Sequence, residues 1–231
     1  MNEHRGATFP DNPFSSRRVR PGALPFLFAG KDSVGKLVGR LRENGWWGQI
    51  VGPHGSGKST LLAMLLPAIE QAGQSVLRIE LHDRCWRLPD SRGDCPDFGG
   101  DCPNFRAAKM GLFPSVNQAG RKISAVSICD GFQQLGRWQR FRLKRFCRRA
   151  RLGLLVTAHL PVGLPDLCHT ATSLPLARQI VEQLQRDYRA YVTEADVAEH
   201  FSRRGGDLRE TLFDLYDLYE ARRRRASAEP P

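Results

Sequence analysis

Apolar and polar positions change period several times along the chain. Val34, Leu37, Val38 and Leu41 fall at helical spacing and predict a short helix from Asp32 to Arg42. Trp46 to Val51, apolar but for Gln49, reads as a buried strand, and the helical stretch Ser59 to Gln71 follows it after a glycine-rich turn. Further strands are predicted over Ser75 to Leu81, Ile123 to Cys129 and Leu152 to Ala158. Strands alternating with helices call for an α/β fold with a parallel sheet covered by helices. From Leu174 the period becomes helical throughout. Leu176, Ile180, Val181 and Leu184 form one stripe, Thr193 suits the N-cap of a helix over Glu194 to Arg203, and Leu208, Leu212, Leu215 and Leu218 mark a third helix.

The expected organisation is therefore an extended arm over residues 1–25, rich in Pro, Gly, Ser and Arg, and an α/β core over 26–173. A small all-helical subdomain over 174–225 and a disordered tail over 226–231 complete it. Residues 83–122 interrupt the core with five glycines, four prolines and the near repeat DCPDF and DCPNF, and read as an insertion between the second and third strands.

Charge adds a second layer. The 231 residues hold 35 Lys+Arg and 24 Asp+Glu, a net of +11. Eight of the basic residues lie between Arg137 and Arg151 with no acid among them, and Arg222 to Arg225 add four more; without those twelve, 23 basic residues face 24 acidic ones. In the helix predicted over Leu135 to Ala150, an apolar row of Leu135, Trp138, Phe141 and Phe146 is expected to pack on the sheet. Arg137, Arg140, Lys144 and Arg148 line another face, which suits either a solvated surface, an acidic protein partner or the phosphates of DNA. No apolar run reaches the length that crosses a bilayer, and the first twenty residues have no apolar core behind their charges, so neither a membrane protein nor a secreted one is expected. Six cysteines spread from 85 to 168 without a CxxC pair match a reducing, cytoplasmic setting better than a disulfide scaffold. His82, Cys85, Cys95 and Cys102 fit no common zinc module.

The sharpest chemical signal is Gly52-Pro53-His54-Gly55-Ser56-Gly57-Lys58-Ser59, followed by Thr60, between a predicted strand and a predicted helix. It matches G-x-x-x-x-G-K-[ST]. Glycines let the backbone curl so that successive N–H groups and the helix start point at phosphate oxygens. A lysine adds a cation for the β- and γ-phosphates, and the Ser59 hydroxyl can ligate Mg²⁺, so ATP and magnesium are the expected ligands. The strand ending at Cys129 delivers Asp130, a second anchor for the ion. Gly131 follows where many such ATPases carry a glutamate, and Phe132, Gln133 and Gln134 come next, so no carboxylate stands within four residues of Asp130. Gln133 or Gln134 can orient a water but neither is a strong base, which points to slow or assisted hydrolysis. Thr157 and His159, at the end of the fourth predicted strand, are candidates for the γ-phosphate or the attacking water.

The order of glycine-rich loop, Asp-terminated strand, Thr-terminated strand and helical tail with Gly205-Gly206-Asp207-Leu208-Arg209 resembles the AAA+ superfamily. The likeness is closest to its initiator and loader members and to small bacterial ATPases of secretion and transposition systems, and spans about residues 26–220. It implies a lid in the helical subdomain, an Arg209 that reaches the nucleotide, and a protein or DNA partner. Residues 160–177, where a neighbour-reaching arginine finger is common in that superfamily, contain no Arg or Lys. Asp130-Gly131-Phe132 is also similar to the Walker B sequence of STAND signalling ATPases, which implies an alternative, a nucleotide switch or scaffold that holds ATP with little turnover.

Overall fold

The computed structural model describes residues 12–28, 30, 32–82, 85–87 and 125–228. They fall into two compact units: residues 28–52 and 61–170 form an α/β unit, and residues 12–27, 53–60 and those from 171 onward form a helical unit.

In the α/β unit, β1 (Trp47–Val51), β2 (Ser75–Arg78), β5 (Ala125–Cys129), β6 (Gly153–Ala158) and β7 (Asp166–His169) build an all-parallel sheet in the order β2-β5-β6-β1-β7. Helices α2 (Val34–Glu43), α3 (Lys58–Gln71) and α4 (Arg137–Arg149) flank it. Every residue of β5 and β6 is buried, as befits central parallel strands of largely apolar sequence, whereas the edge strands β2 and β7 are partly exposed. Leu154 and Val156 of β6 pack with Leu143, Phe146 and Cys147 of α4, so by the two-residue period Leu155 serves the opposite face. Gln49, buried in β1, satisfies its amide by donating to Asp166 (2.6 Å) and accepting from the Val162 N–H (2.8 Å), which ties in the strand β7 that apolar periodicity does not reveal.

The chain leaves β1 for β2 at one edge and leaves β6 for β7 at the other edge. Adjacent strands whose connections run in opposite directions define the topological switch point, and this one lies between β1 and β6.

Several elements differ from expectation. The second strand breaks at Ile79 into β2 and a separate antiparallel pair, β3 (Glu80–His82) with β4 (Cys85–Arg87). Most of the 83–122 insertion lies outside the described residues. The expected apolar row on α4 is only half right. Leu135 and Phe146 are buried, but Trp138 is 69% and Phe141 52% exposed. The helix starts at Arg137, after Leu135, and its inward face is set by Leu143, Phe146 and Cys147.

The helical unit contains α1 (Ser16–Val19), α5 (Leu174–Gln185), α6 (Glu194–Arg203) and α7 (Leu208–Ala228). Ser173 caps α5, and Thr193 with Asp196 forms a reciprocal capping box on α6. Ala177, Val181, Leu184, Val197, Leu208, Leu212 and Leu215 share a core with Phe14. The arm is thus not simply extended: Phe14 is fully buried edge-on to Tyr219 (5.9 Å), and the Asn12 amide donates to the Tyr216 carbonyl (3.1 Å) and Glu220 (2.9 Å). One aromatic anchor overrides a Pro/Gly-rich composition because its burial alone contributes about 2–3 kcal/mol. At the other end α7 continues through Ala228, beyond the expected start of a disordered tail, and 229–231 lie outside the described residues. Arg222, within the basic run of the tail, is ion-paired inside the helical unit. It pairs bidentately with Asp196 (2.5 and 2.8 Å) and donates to the Tyr191 carbonyl (2.7 Å), while Arg223 pairs with Glu220 (2.7 Å).

Candidate functional site

The loop Gly52 to Lys58 connects β1 to α3, so the glycine-rich motif occupies the strand-to-helix turn that its chemistry needs. Gly55 (φ 66°) and Gly57 (φ 82°) adopt left-handed conformations that side-chain-bearing residues avoid. The Ser56 hydroxyl and the Lys58 ammonium both donate to the Pro53 carbonyl, at 2.8 and 2.5 Å, drawing the loop into a closed ring. Lys58 is nearly buried although its neighbours Pro53 and His54 are exposed. The first N–H groups of α3 lack helical partners, as at any helix start, and carry the positive end of its dipole. Thr60 lies within this first turn.

Gly55 also meets a steric demand. A Cβ there would come within 1.9 Å of the Asp207 carboxylate and 3.0 Å of the Arg209 backbone nitrogen, so the start of α7 abuts the loop. Asp207 caps α7 by accepting from the N–H groups of Arg209 (3.0 Å) and Glu210 (3.2 Å). The preceding Gly205 and Gly206 have φ 58° and 84°, and the Gly206 carbonyl accepts from Thr172 (2.6 Å). The Arg209 guanidinium lies over the Phe213 ring, 5.7 Å from its centroid. Within this unit it is therefore Asp207, which sequence reasoning treated only as part of a helix start, that meets the loop.

A second cluster sits at the ends of β5 and β6. Their register pairs Cys129 with Val156, which brings Asp130 beside Thr157 although 27 positions separate them. The Thr157 hydroxyl donates to the Asp130 carboxylate and accepts from the Gly131 N–H (2.8 Å). Thr157 is 1% exposed, whereas Asp130 is exposed. Gly131 is left-handed (φ 77°), and a Cβ there would approach the Gln134 amide nitrogen to 2.7 Å. Gln133 extends its amide nitrogen to within 3.3 Å of His159 Nε2. From α4, Arg140 donates to the carbonyls of Gln133 (2.8 Å) and Leu135 (2.7 Å), clamping the 3₁₀ turn Phe132–Gln134. Sequence reasoning missed this clamp, having placed Arg140 on an outward row.

That basic row is largely engaged within the protein. Lys144 donates to the Val162 carbonyl (2.5 Å), and Arg148 lies over the Trp47 ring at 5.3 Å. Burial, then the nearby charges of Arg148 and Arg140, push the Lys144 ammonium down from its ordinary value. Of the four residues expected to line a DNA-facing row, Arg137 is the exposed one outside these contacts. Burial pushes the thiols of Cys129 and Cys147 up to about 12, which disfavours the thiolate form of both.

Among the described residues no group of three or more His, Cys, Asp or Glu side chains could hold a metal ion. Magnesium does not require one, because it retains waters and takes one or two protein oxygens plus substrate phosphates. The Ser59 hydroxyl and the Asp130 carboxylate each offer an oxygen of that chemical type. Among the described residues no helix is long and apolar enough to cross a membrane. A scan against protein-family models and a search of the curated proteins both find no match to the chain.

Proposed function

We propose that this protein is an AAA+-like P-loop protein that binds ATP with Mg²⁺ and hydrolyses it slowly or with a partner's help. The observation that carries the reading is the motif Gly52 to Ser59 seated in a strand-to-helix turn, with two of its glycines in left-handed conformations. The switch point of the sheet, beside the end of β1, supports it further. In this reading the backbone of residues 52–60 cradles the phosphates and Lys58 neutralises the β- and γ-oxygens. Ser59 and Asp130 hold the ion. Thr157 is a positioning residue, fixing the Asp130 carboxylate rather than touching substrate. The Gln133 amide, beside His159, orients a water, and Gln134 stands next to it; neither amide can take a proton from that water efficiently. Arg209 reaches the nucleotide from a lid formed by the helical unit, and the nucleotide state is relayed to a protein or DNA partner.

A second reading, a STAND-type switch that retains ATP, is favoured by Gly131. Its left-handed backbone (φ 77°) disfavours any side-chain-bearing residue at that position, a general base included. Titration with Mg²⁺ and ATP, followed by single-turnover chase, tests both. Binding with steady phosphate release supports the slow ATPase, and binding with retained ATP supports the switch. Failure to bind ATP refutes both.

A further inference from the structure

Helix α4 presents a face that the nucleotide reading does not use. Arg137, Trp138, Phe141, Arg142, Arg145 and Arg149 are all exposed. At 3.6 residues per turn they occupy an arc of about 140°, opposite the buried Leu143, Phe146 and Cys147. Trp138 and Phe141 stack on each other with centroids 5.7 Å apart and planes 24° from parallel. No acidic residue occurs between 137 and 151.

We propose that this face binds single-stranded nucleic acid, with the backbone phosphates on Arg137, Arg142, Arg145 and Arg149 and unpaired bases stacked on the Trp138 and Phe141 rings. The exposed positions of the arc are all cationic or aromatic. Guanidinium forks match phosphate oxygens bidentately, and a flat ring takes any base without regard to sequence. No acidic side chain accompanies the guanidinium groups of this helix, so charge complementarity calls for a polyanion. Paired bases already stack on one another, so the rings favour a single strand over a duplex. The inference stands apart from ATP binding, because none of these residues belongs to the glycine-rich loop or to the Asp130 cluster.

Fluorescence anisotropy with a labelled oligo-dT and a duplex of equal length tests it. Four neutralised phosphates predict a slope of log affinity against log salt of about −2.8 on the single strand. Combining Trp138→Ala with Phe141→Ala removes only exposed rings, and should weaken oligo-dT binding about tenfold or more while leaving that slope unchanged. Arg142→Gln with Arg145→Gln should flatten the slope by about 1.4. Circular dichroism and thermal melting verify that each variant is folded. No binding of oligo-dT at low salt overturns the proposal. So does equal or tighter duplex binding, or affinity indifferent to loss of the rings. Polyglutamate bound as tightly as oligo-dT, with the same loss in the ring variant, overturns it in favour of an acidic protein partner.

Discussion

Replacing Thr157 with valine removes one hydroxyl from a site where it serves two partners. The side chain keeps its shape, so the cost is that of the lost hydrogen bonds. Asp130 is exposed and water replaces the hydroxyl at its carboxylate, a loss of about 0.5–1 kcal/mol. The Gly131 N–H is buried and loses its acceptor, which costs about 1–3 kcal/mol. The added methyl, at a position 1% exposed, offsets somewhat under 1 kcal/mol. The net expectation is destabilisation by about 1–3 kcal/mol, read as a lower urea midpoint at unchanged slope. Thr157→Ser keeps the hydroxyl and loses only a buried methyl, about 1 kcal/mol. Amide exchange separates the two causes: the Gly131 N–H should stay protected in wild type and Thr157→Ser and exchange much faster in Thr157→Val. Equal protection in all three would refute the assignment of Thr157 as the residue that holds the turn after β5.

Gly131→Ala should destabilise by about 1–2 kcal/mol in the same urea assay, because φ 77° is left-handed; a neutral result would contradict that strain. For the same reason, Gly131→Glu should lose stability rather than gain ATPase activity, as measured by denaturation beside phosphate release. Arg222 holds the Asp196 carboxyl down to about 2, with Thr193 assisting against the opposing effect of burial. A folded-state value below the ordinary 3.8 means this stabilisation is present above about pH 4 and lost as pH falls through about 2. Allowing for the exposure of Arg222, Arg222→Gln should cost about 1 kcal/mol at pH 7 and less near pH 2.5, and an equal cost at both pH values would refute the linkage.

Particular residues explain what could be seen in advance. Strands β1, β5 and β6 stand out because both of their faces are buried, leaving runs that are apolar but for Gln49, Ser127 and Thr157, and the glycine-rich motif announces itself by spacing. The link from Thr157 to Asp130 was hidden, since it depends on the register between β5 and β6 rather than on any local pattern. Strand β7 was hidden because a four-residue edge strand with exposed Asp166 and His169 has too little apolar content to mark it. Phe14 is a lone anchor in a segment without period, and periodicity detects stripes, not single residues. On α4 the period was right but the phase was wrong. Leu135 belongs to the preceding turn, and counting it rotated the apolar face onto Trp138 and Phe141, which are exposed.

In the proposed function the loop from Gly52 to Ser59 holds the phosphates of ATP, and Lys58 is the residue through which that role is most directly tested. Its ammonium contributes charge-assisted hydrogen bonds of about 1.5–3 kcal/mol, so Lys58→Ala should weaken binding of Mg²⁺ and ATP at least tenfold by isothermal titration calorimetry. Urea midpoints of the two proteins check that the loop variant remains folded. Equal affinities for Lys58→Ala and wild type, or no ATP binding by either, would contradict the account.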